Sequence, residues 1–280
     1  MLKYLFLSLT LLLATVLLAS WFGVRHQDGK RDAMVEALFD SALKTPTETT
    51  DTAALPGPVR RYLQRVLPEH AAPIRTVKLQ QHGSLKISPE TAAWSSFIAE
   101  QSVSATAPGF IWDARVRVGP ALHVRVRDAY LEHNASGEVS FLSLLPMGSR
   151  HGDPELNNGA LFRYLAEAPW YPTRLLPGNG LSWQAVDDSR AIATLQDGPT
   201  RVSLEFRFNE TGEITGIYTE ARYGIFDNAY RQYPWEGKFG DYRTFDGVKV
   251  PTTASVGWHL PQGWWLFLTM QVDSVTFGRE

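Results

Sequence analysis

The sequence predicts a mainly β domain: a strongly curved antiparallel sheet or incomplete β-barrel with a short helix-plus-proline lid, preceded by an N-terminal transmembrane helix. Three observations predict it. From residue 74 onward, apolar and polar residues alternate with period two in segments of strand length. Short turn signals separate these segments, so successive strands should be antiparallel neighbours, with no room for βαβ crossovers. One stretch, 161–177 (LFRYLAEAPWYPTRLLP), departs from the alternation and carries helical spacing. No repeat of fixed period is visible, which argues against a propeller.

Composition excludes several functions. The chain has 280 residues, a formal net charge of -2 and no basic tract, so nucleic acid is not an expected partner. It has no cysteine, which removes disulfides, Cys-ligated zinc, iron–sulfur clusters and thiol catalysis. Nine Trp suggest broad sheet surfaces or an apolar cavity, although aromatics also fill large β cores.

Residues 4–24 contain no charged side chain and are dominated by Leu. About 20 such residues span a bilayer core, so 1–25 is read as a transmembrane anchor or signal segment. Ala19-Ser20-Trp21 is a poor cleavage site, which favours an uncleaved anchor. Strict counting of Arg25, Lys30 and Arg31 would put the body in the cytoplasm. An export-type signal-anchor puts it on the periplasmic or extracellular side, the reading adopted here. Residues 26–54 read as a helix (32–43) and a Thr-rich linker (45–54). A single mainly β domain should occupy 55–280, opening with a helix in which Pro58 sits in the first turn and Val59, Tyr62, Leu63 and Val66 form the apolar face.

Strands are expected at 74–87, 93–103, 110–118, 122–131 and 138–145. After the lid they should resume at 181–187, 190–195, 201–208, 213–222, 238–245, 252–260 and 264–277. In the lid, Leu161, Tyr164, Leu165 and Ala168 share a helix face, Arg163 and Glu167 are four apart, and Pro169 ends the helix. The bulky groups that follow, Trp170, Tyr171, Leu175 and Leu176, need a surface to cover.

The pair 110–118 and 122–131 allows a register argument. Trp112, Ala114, Val116 and Val118 must meet Leu122, Val124 and Val126, because a slip of one residue would reverse every side chain. An odd-length loop, 119–121, satisfies this. It places Asp113 opposite Arg127 and Arg115 opposite Arg125, so this face is either water-exposed or a site for an acidic group. Asp128 then falls on the apolar side and needs a partner such as Arg163.

Catalytic motifs are absent: there is no G-x-S-x-G elbow, H-E-x-x-H pair or P-loop. His123, His133 and His151 show no ligand spacing, so no metal is expected, and no cofactor. Asp187-Asp188-Ser189 reads first as a turn. Glu167 beneath Trp170 is a candidate general acid.

The motifs LPGPVRRYLQRVLP, PGFIWDARV, VRDAYL, RYLAEAPWYPTRLLP, LSWQAVDD and YPWEGKFGDY together resemble a family of bacterial proteins of unknown function, the DUF6544/DUF6920 type, over about 55–277. The resemblance implies one domain and transfers no catalytic residue. A looser fold analogy is to the half-barrels of lipoprotein carriers.

The function expected is therefore a membrane-anchored envelope protein that binds a hydrophobic or amphipathic ligand, a lipid or acyl chain, in the concave face of the sheet. Phe110, Trp112, Trp170, Tyr171, Trp183, Trp235 and Trp258 would line the site beside Asp128 and Glu167, with Arg127 and Arg163 meeting an acidic head group. One alternative is a hydrolase or isomerase using Glu167, Asp128, Asp187 and Arg163. Another is a structural envelope protein that binds a partner along a sheet edge.

Overall fold

A computed structural model describes residues 2–46, 52–68 and 72–279, apart from the side chains of Leu2, Leu5, Leu9, Leu12 and Leu13. The chain opens with helices α1 (Leu2–Lys44) and α2 (Gly57–Val66). Six strands follow: β1 (Thr76–Leu85), β2 (Ser95–Ser104), β3 (Gly109–Gly119), β4 (Leu122–Leu131), β5 (Asn134–Phe141) and β6 (Leu145–His151). Helix α3 (Pro154–Ala166) and two short 3-10 turns, Ala168–Trp170 and Pro172–Leu175, come next. Seven strands complete the chain: β7 (Leu181–Ala185), β8 (Arg190–Asp197), β9 (Thr200–Phe208), β10 (Ile214–Phe226), β11 (Ala229–Phe245), β12 (Val248–Leu260) and β13 (Gly263–Gly278).

All thirteen strands form one antiparallel sheet in the order β6-β5-β4-β3-β2-β1-β13-β12-β11-β10-β9-β8-β7. Two meanders are joined where β13 pairs with β1, leaving β6 and β7 as the edges. Laid flat, the sheet would hold those edges about 58 Å apart. Helix α3 is only about 20 Å long, yet it packs on β4 and β5 from one meander and on β9 and β10 from the other. The sheet must therefore curl around it. Across the same gap, Tyr130 Oη of β4 donates to Asp197 Oδ2 of β8 at 2.7 Å. Close approach of helix to strand needs a residue without a side chain: a Cβ on Gly159 would sit 3.1 Å from the Tyr223 carbonyl oxygen.

The mainly β half-barrel and its lid match the expectation, with several differences in detail. The lid helix starts at Pro154 rather than 161, with Pro in its first turn and Glu155 beside it. The segment expected as one strand over 138–145 is two strands, because Leu142 and Ser143 adopt left-handed backbone (φ 54° and 58°) and turn the chain. Strand β11 begins nine residues before the expected 238, after a turn in which Asp227 and Asn228 both have positive φ. The helix expected over 32–43 is the end of the continuous α1. Of the linker expected over 45–54, residues 47–51 lie outside the described residues.

Among the described residues no helix is long and apolar enough to cross a membrane. The stretch 4–24 includes Leu5, Leu9, Leu12 and Leu13, whose side chains are not among them.

The β3–β4 register is the expected one: Asp113 faces Arg127, Arg115 faces Arg125 and Ala114 faces Val126. The turn itself is shorter than expected. Pro120 and Ala121 make the connection, and a bulge at Val118 restores the parity. Around Asp113, Arg125 and Arg127 the charged face is neither bathed in water nor open to an anion, because α1 lies across it; Arg115, nearer the turn, is only half-buried. Arg125 and Arg127 are 2% and 4% exposed and both donate to Asp113, at 2.8 Å in each case. From α1, Asp28 Oδ1 accepts from Arg125 at 2.7 Å and the Gln27 carbonyl from Arg127 at 2.7 Å. Further along, Leu38 of α1 is buried against Ile111 and Ala129. The sequence reading missed this cover because it treated the opposed arginines as a two-strand problem.

Candidate functional site

Between α3 and the concave face lies a cavity of about 490 Å³, within the range of about 300–1,000 Å³ usual for small-molecule sites. Strand alternation supplies its walls. Every second residue of β3, β11 and β12 points inward, giving Phe110 and Trp112, then Trp235, Gly237 and Phe239, then Ala254, Val256 and Trp258. The roof is α3 and the first 3-10 turn, through Leu156, Ala160, Arg163, Glu167 and Trp170. Trp170 is locked in place by donating Nε1 to the Pro251 carbonyl at 2.9 Å.

A polar chain runs along one wall. Arg163 donates Nη1 to Asp128 Oδ2 at 2.9 Å and Nε to Glu167 Oε1 at 2.8 Å. Its guanidinium lies over the Trp112 and Phe110 rings, 4.8 and 5.1 Å from their centroids. Glu167 also accepts from Gln101 Nε2 at 2.5 Å, Gln101 accepts from Gln81, and Gln81 accepts from Trp112 Nε1 at 3.0 Å. Burial opposes the Arg163 charge, but Glu167 and Asp128 outweigh it and hold its pKa above the ordinary value. The Asp128 side chain is 40% accessible because it lines the cavity. Desolvation there pushes its pKa up, against the pull of Arg163.

Eight of the expected site residues thus share one cavity: Phe110, Trp112, Asp128, Arg163, Glu167, Trp170, Trp235 and Trp258. Three do not line it. Arg127 is on the opposite face of β4, bound to Asp113 and to α1. Tyr171 is fully buried, its hydroxyl donating to the Tyr164 carbonyl. Trp183 packs on Phe206 and donates to the Leu175 carbonyl at 2.9 Å. Asp187, considered as a catalytic acid, stands in the β7–β8 turn. Its hydrogen bond from Arg190, 2.8 Å away, lowers its pKa to about 2, so it is ionised outside the cavity. Among the described residues no group of three or more His, Asp or Glu is placed to hold a metal ion.

The sequence reading missed Arg222. By strict alternation from Ile217 it would face outward, but a bulge between Thr219 and Arg222 turns it into the cavity. It donates Nη2 to the Gly159 carbonyl at 2.8 Å and stacks on Trp235 and Trp258, 4.5 and 5.2 Å from their centroids. Burial first, and then the nearby Arg163, push its pKa down to about 9.

The fold and site define a class: a curled β half-barrel, plugged by a helix, that encloses a largely apolar cavity with a few fixed charges. The chain belongs to DUF6920, a family of unknown function whose model matches residues 53–277. No curated protein matches the sequence. Similar solved structures include an outer membrane lipoprotein-sorting protein domain from Vibrio parahaemolyticus, with 8% identity over 72% of this chain and 85% of that one (TM-score 0.40). Another is a LolA superfamily protein from Nitrosomonas europaea, with 10% identity over 80% and 94% of the two chains (TM-score 0.39). A third is a β-barrel-like protein of the DUF1849 domain from Brucella abortus, with 9% identity over 74% and 100% (TM-score 0.28).

Proposed function

We propose that this protein binds a hydrophobic or amphipathic molecule, such as a lipid or single acyl chain, inside the half-barrel. The observation that carries the reading is the cavity of about 490 Å³, walled mainly by aromatic and aliphatic side chains and roofed by α3. A protein of this size that needed the space only for stability would gain by filling it, since voids forfeit packing contacts. The uncharged stretch 4–24 supports tethering to a membrane; placing the body on the periplasmic or extracellular side rests on the character of the binding domain, not on the flanking charges. Ser20 of α1 donates to the Leu142 carbonyl of the β5–β6 turn at 3.2 Å, and a Cβ on Gly23 would sit 2.8 Å from the Ser143 carbonyl oxygen. That turn lies at the same end of the strands as the cavity-lining residues Leu85, Lys86 and Ile87. A tether at this end would hold the cavity toward the lipid.

The test is titration with N-phenyl-1-naphthylamine, a neutral apolar probe whose fluorescence rises on leaving water. The wild type should bind it with one-to-one saturation. Ala160 lines the cavity from α3, and Ala160→Trp should weaken binding at least ~10-fold by filling the space. Absence of saturable binding to the wild type would overturn the reading.

A second reading, acid-catalysed chemistry on an apolar substrate, is favoured by the convergence of Asp128, Glu167 and Arg163 in the same cavity. Against it, Arg163 already occupies one oxygen of each carboxylate. Turnover abolished by Asp128→Asn, with probe binding retained, would establish it over simple carriage.

A further inference from the structure

Three residues that line the cavity each carry a buried nitrogen donor without a hydrogen-bond acceptor among the described residues: Arg222 Nε, Trp235 Nε1 and Trp265 Nε1. Among the described residues no side-chain acceptor of a cavity-lining residue is left unmatched in the same way. The imbalance has a direction. A buried N–H without a partner costs free energy, and a buried cation without a counter-charge costs more. Apolar ligand atoms relieve neither cost, whereas an oxygen anion relieves both. Arg163 is less suited, because its Nε and Nη1 already hold Glu167 and Asp128 and their two charges offset its own. Among the described residues Arg222 makes no ion pair within 4 Å, and the Glu167 and Asp128 charges reach it only at longer range. One Nη is held by the Gly159 carbonyl, and its plane is fixed against Trp235 and Trp258.

We infer that Arg222, with the Trp235 indole N–H beside it, is the seat for the head group of an amphiphile carrying a single negative charge, its apolar chain lying along the aromatic wall. This rests on the cavity-binding reading above and narrows its ligand class. Single charge follows from the neighbours. Asp128 and Glu167 outnumber Arg163 by one, so at longer range they already draw on part of the Arg222 charge; a dianion would add a repulsion that Arg222 alone does not offset. A fixed, stacked guanidinium suits a planar carboxylate, which it can meet with paired hydrogen bonds.

Binding of dodecanoate, dodecyl phosphate and 1-dodecanol to the full chain, followed by displacement of N-phenyl-1-naphthylamine, tests it. The wild type should bind dodecanoate at least ~10-fold more tightly than 1-dodecanol, the size of effect a charge-assisted hydrogen bond supplies. Dodecanoate should also exceed dodecyl phosphate at a pH where the phosphate is doubly charged. Arg222→Gln should remove the preference for dodecanoate and leave 1-dodecanol within ~2-fold. Equal wild-type affinity for dodecanoate and 1-dodecanol would overturn the assignment while leaving the cavity reading intact. Failure of all three to bind would overturn both. If Arg222→Gln does not fold, Trp235→Phe, which keeps a ring and removes the indole N–H, should lower the preference for dodecanoate, and an unchanged preference would overturn the assignment.

Discussion

Replacing Arg163 with methionine is expected to destabilise the protein by about 2–3 kcal/mol, below the full cost of breaking a wholly buried ion pair because the Asp128 carboxylate is 40% accessible from the cavity. The guanidinium holds Asp128 and Glu167 at 2.9 and 2.8 Å and stacks on Phe110 and Trp112. Without it, two carboxylates face each other across an apolar wall, with the Gln101 amide on Glu167 and the more distant Arg222 charge to help. Urea unfolding at neutral pH measures the loss. Two further results identify its cause. The triple variant Arg163→Met, Asp128→Asn, Glu167→Gln should recover most of the stability, because no charge is then stranded. The penalty of the single variant should also shrink on acidification. The Asp128 pKa is already raised in the fold. A carboxyl group with a raised folded-state pKa takes up its proton more readily when folded than when unfolded, so falling pH favours the fold. The Asp128 part of the penalty is full above its folded pKa and vanishes below its unfolded value. A loss independent of pH and unrescued by the triple variant would assign Arg163 a packing role alone.

Asp113→Ala should cost more, about 3–5 kcal/mol, on the other face of the sheet, where the ion pairs are deeply buried. Asp113 is the shared acceptor of Arg125 and Arg127, and all three side chains are almost wholly buried beneath α1. Its removal leaves Arg125 with Asp28 as its counter-charge and Arg127 with only Glu138, 3.8 Å away, beside the neutral acceptors of Gln27. Asp28→Ala should cost much less, about 1 kcal/mol, because Asp28 is 27% exposed and Asp113 remains. Thermal or urea unfolding of the two variants tests the ranking. If Asp28→Ala is the more damaging, α1 holds the outer face chiefly by that contact. This network also ties α1 to the body: a chain that begins near residue 45 loses the partners of Arg125, Arg127, Ile111 and Ala129.

How much was legible in the sequence depended on the scale of the signal. The β3–β4 register followed from alternation, because apolar partners leave only one parity. The loop that produces this parity did not follow, since a three-residue loop and a two-residue turn plus bulge satisfy the same rule. The pairing of Arg163 with Asp128 was legible because a carboxylate on the apolar side of a strand demands a cation. The Leu142–Ser143 turn was hidden because it uses left-handed backbone without the Gly or Asn that usually marks it. The Asp153-Pro154-Glu155 helix start was readable and overlooked. Arg222 could not be read from alternation at all. One inserted residue reverses the facing of the rest of β10, and bulges carry no sequence code of their own. Arg127 was assigned to the cavity on charge alone, although its parity with Asp113 already put it on the far side.

The central claim is that the half-barrel holds an apolar or amphipathic molecule. Native mass spectrometry of the full chain, purified from the cells that make it in a detergent too bulky for the cavity, tests this most directly. The claim predicts a stoichiometric adduct of lipid or acyl-chain mass, released by organic solvent and absent from Ala160→Trp purified in the same way. A ligand-free mass for the wild type, unchanged after incubation with a total lipid extract, would contradict it.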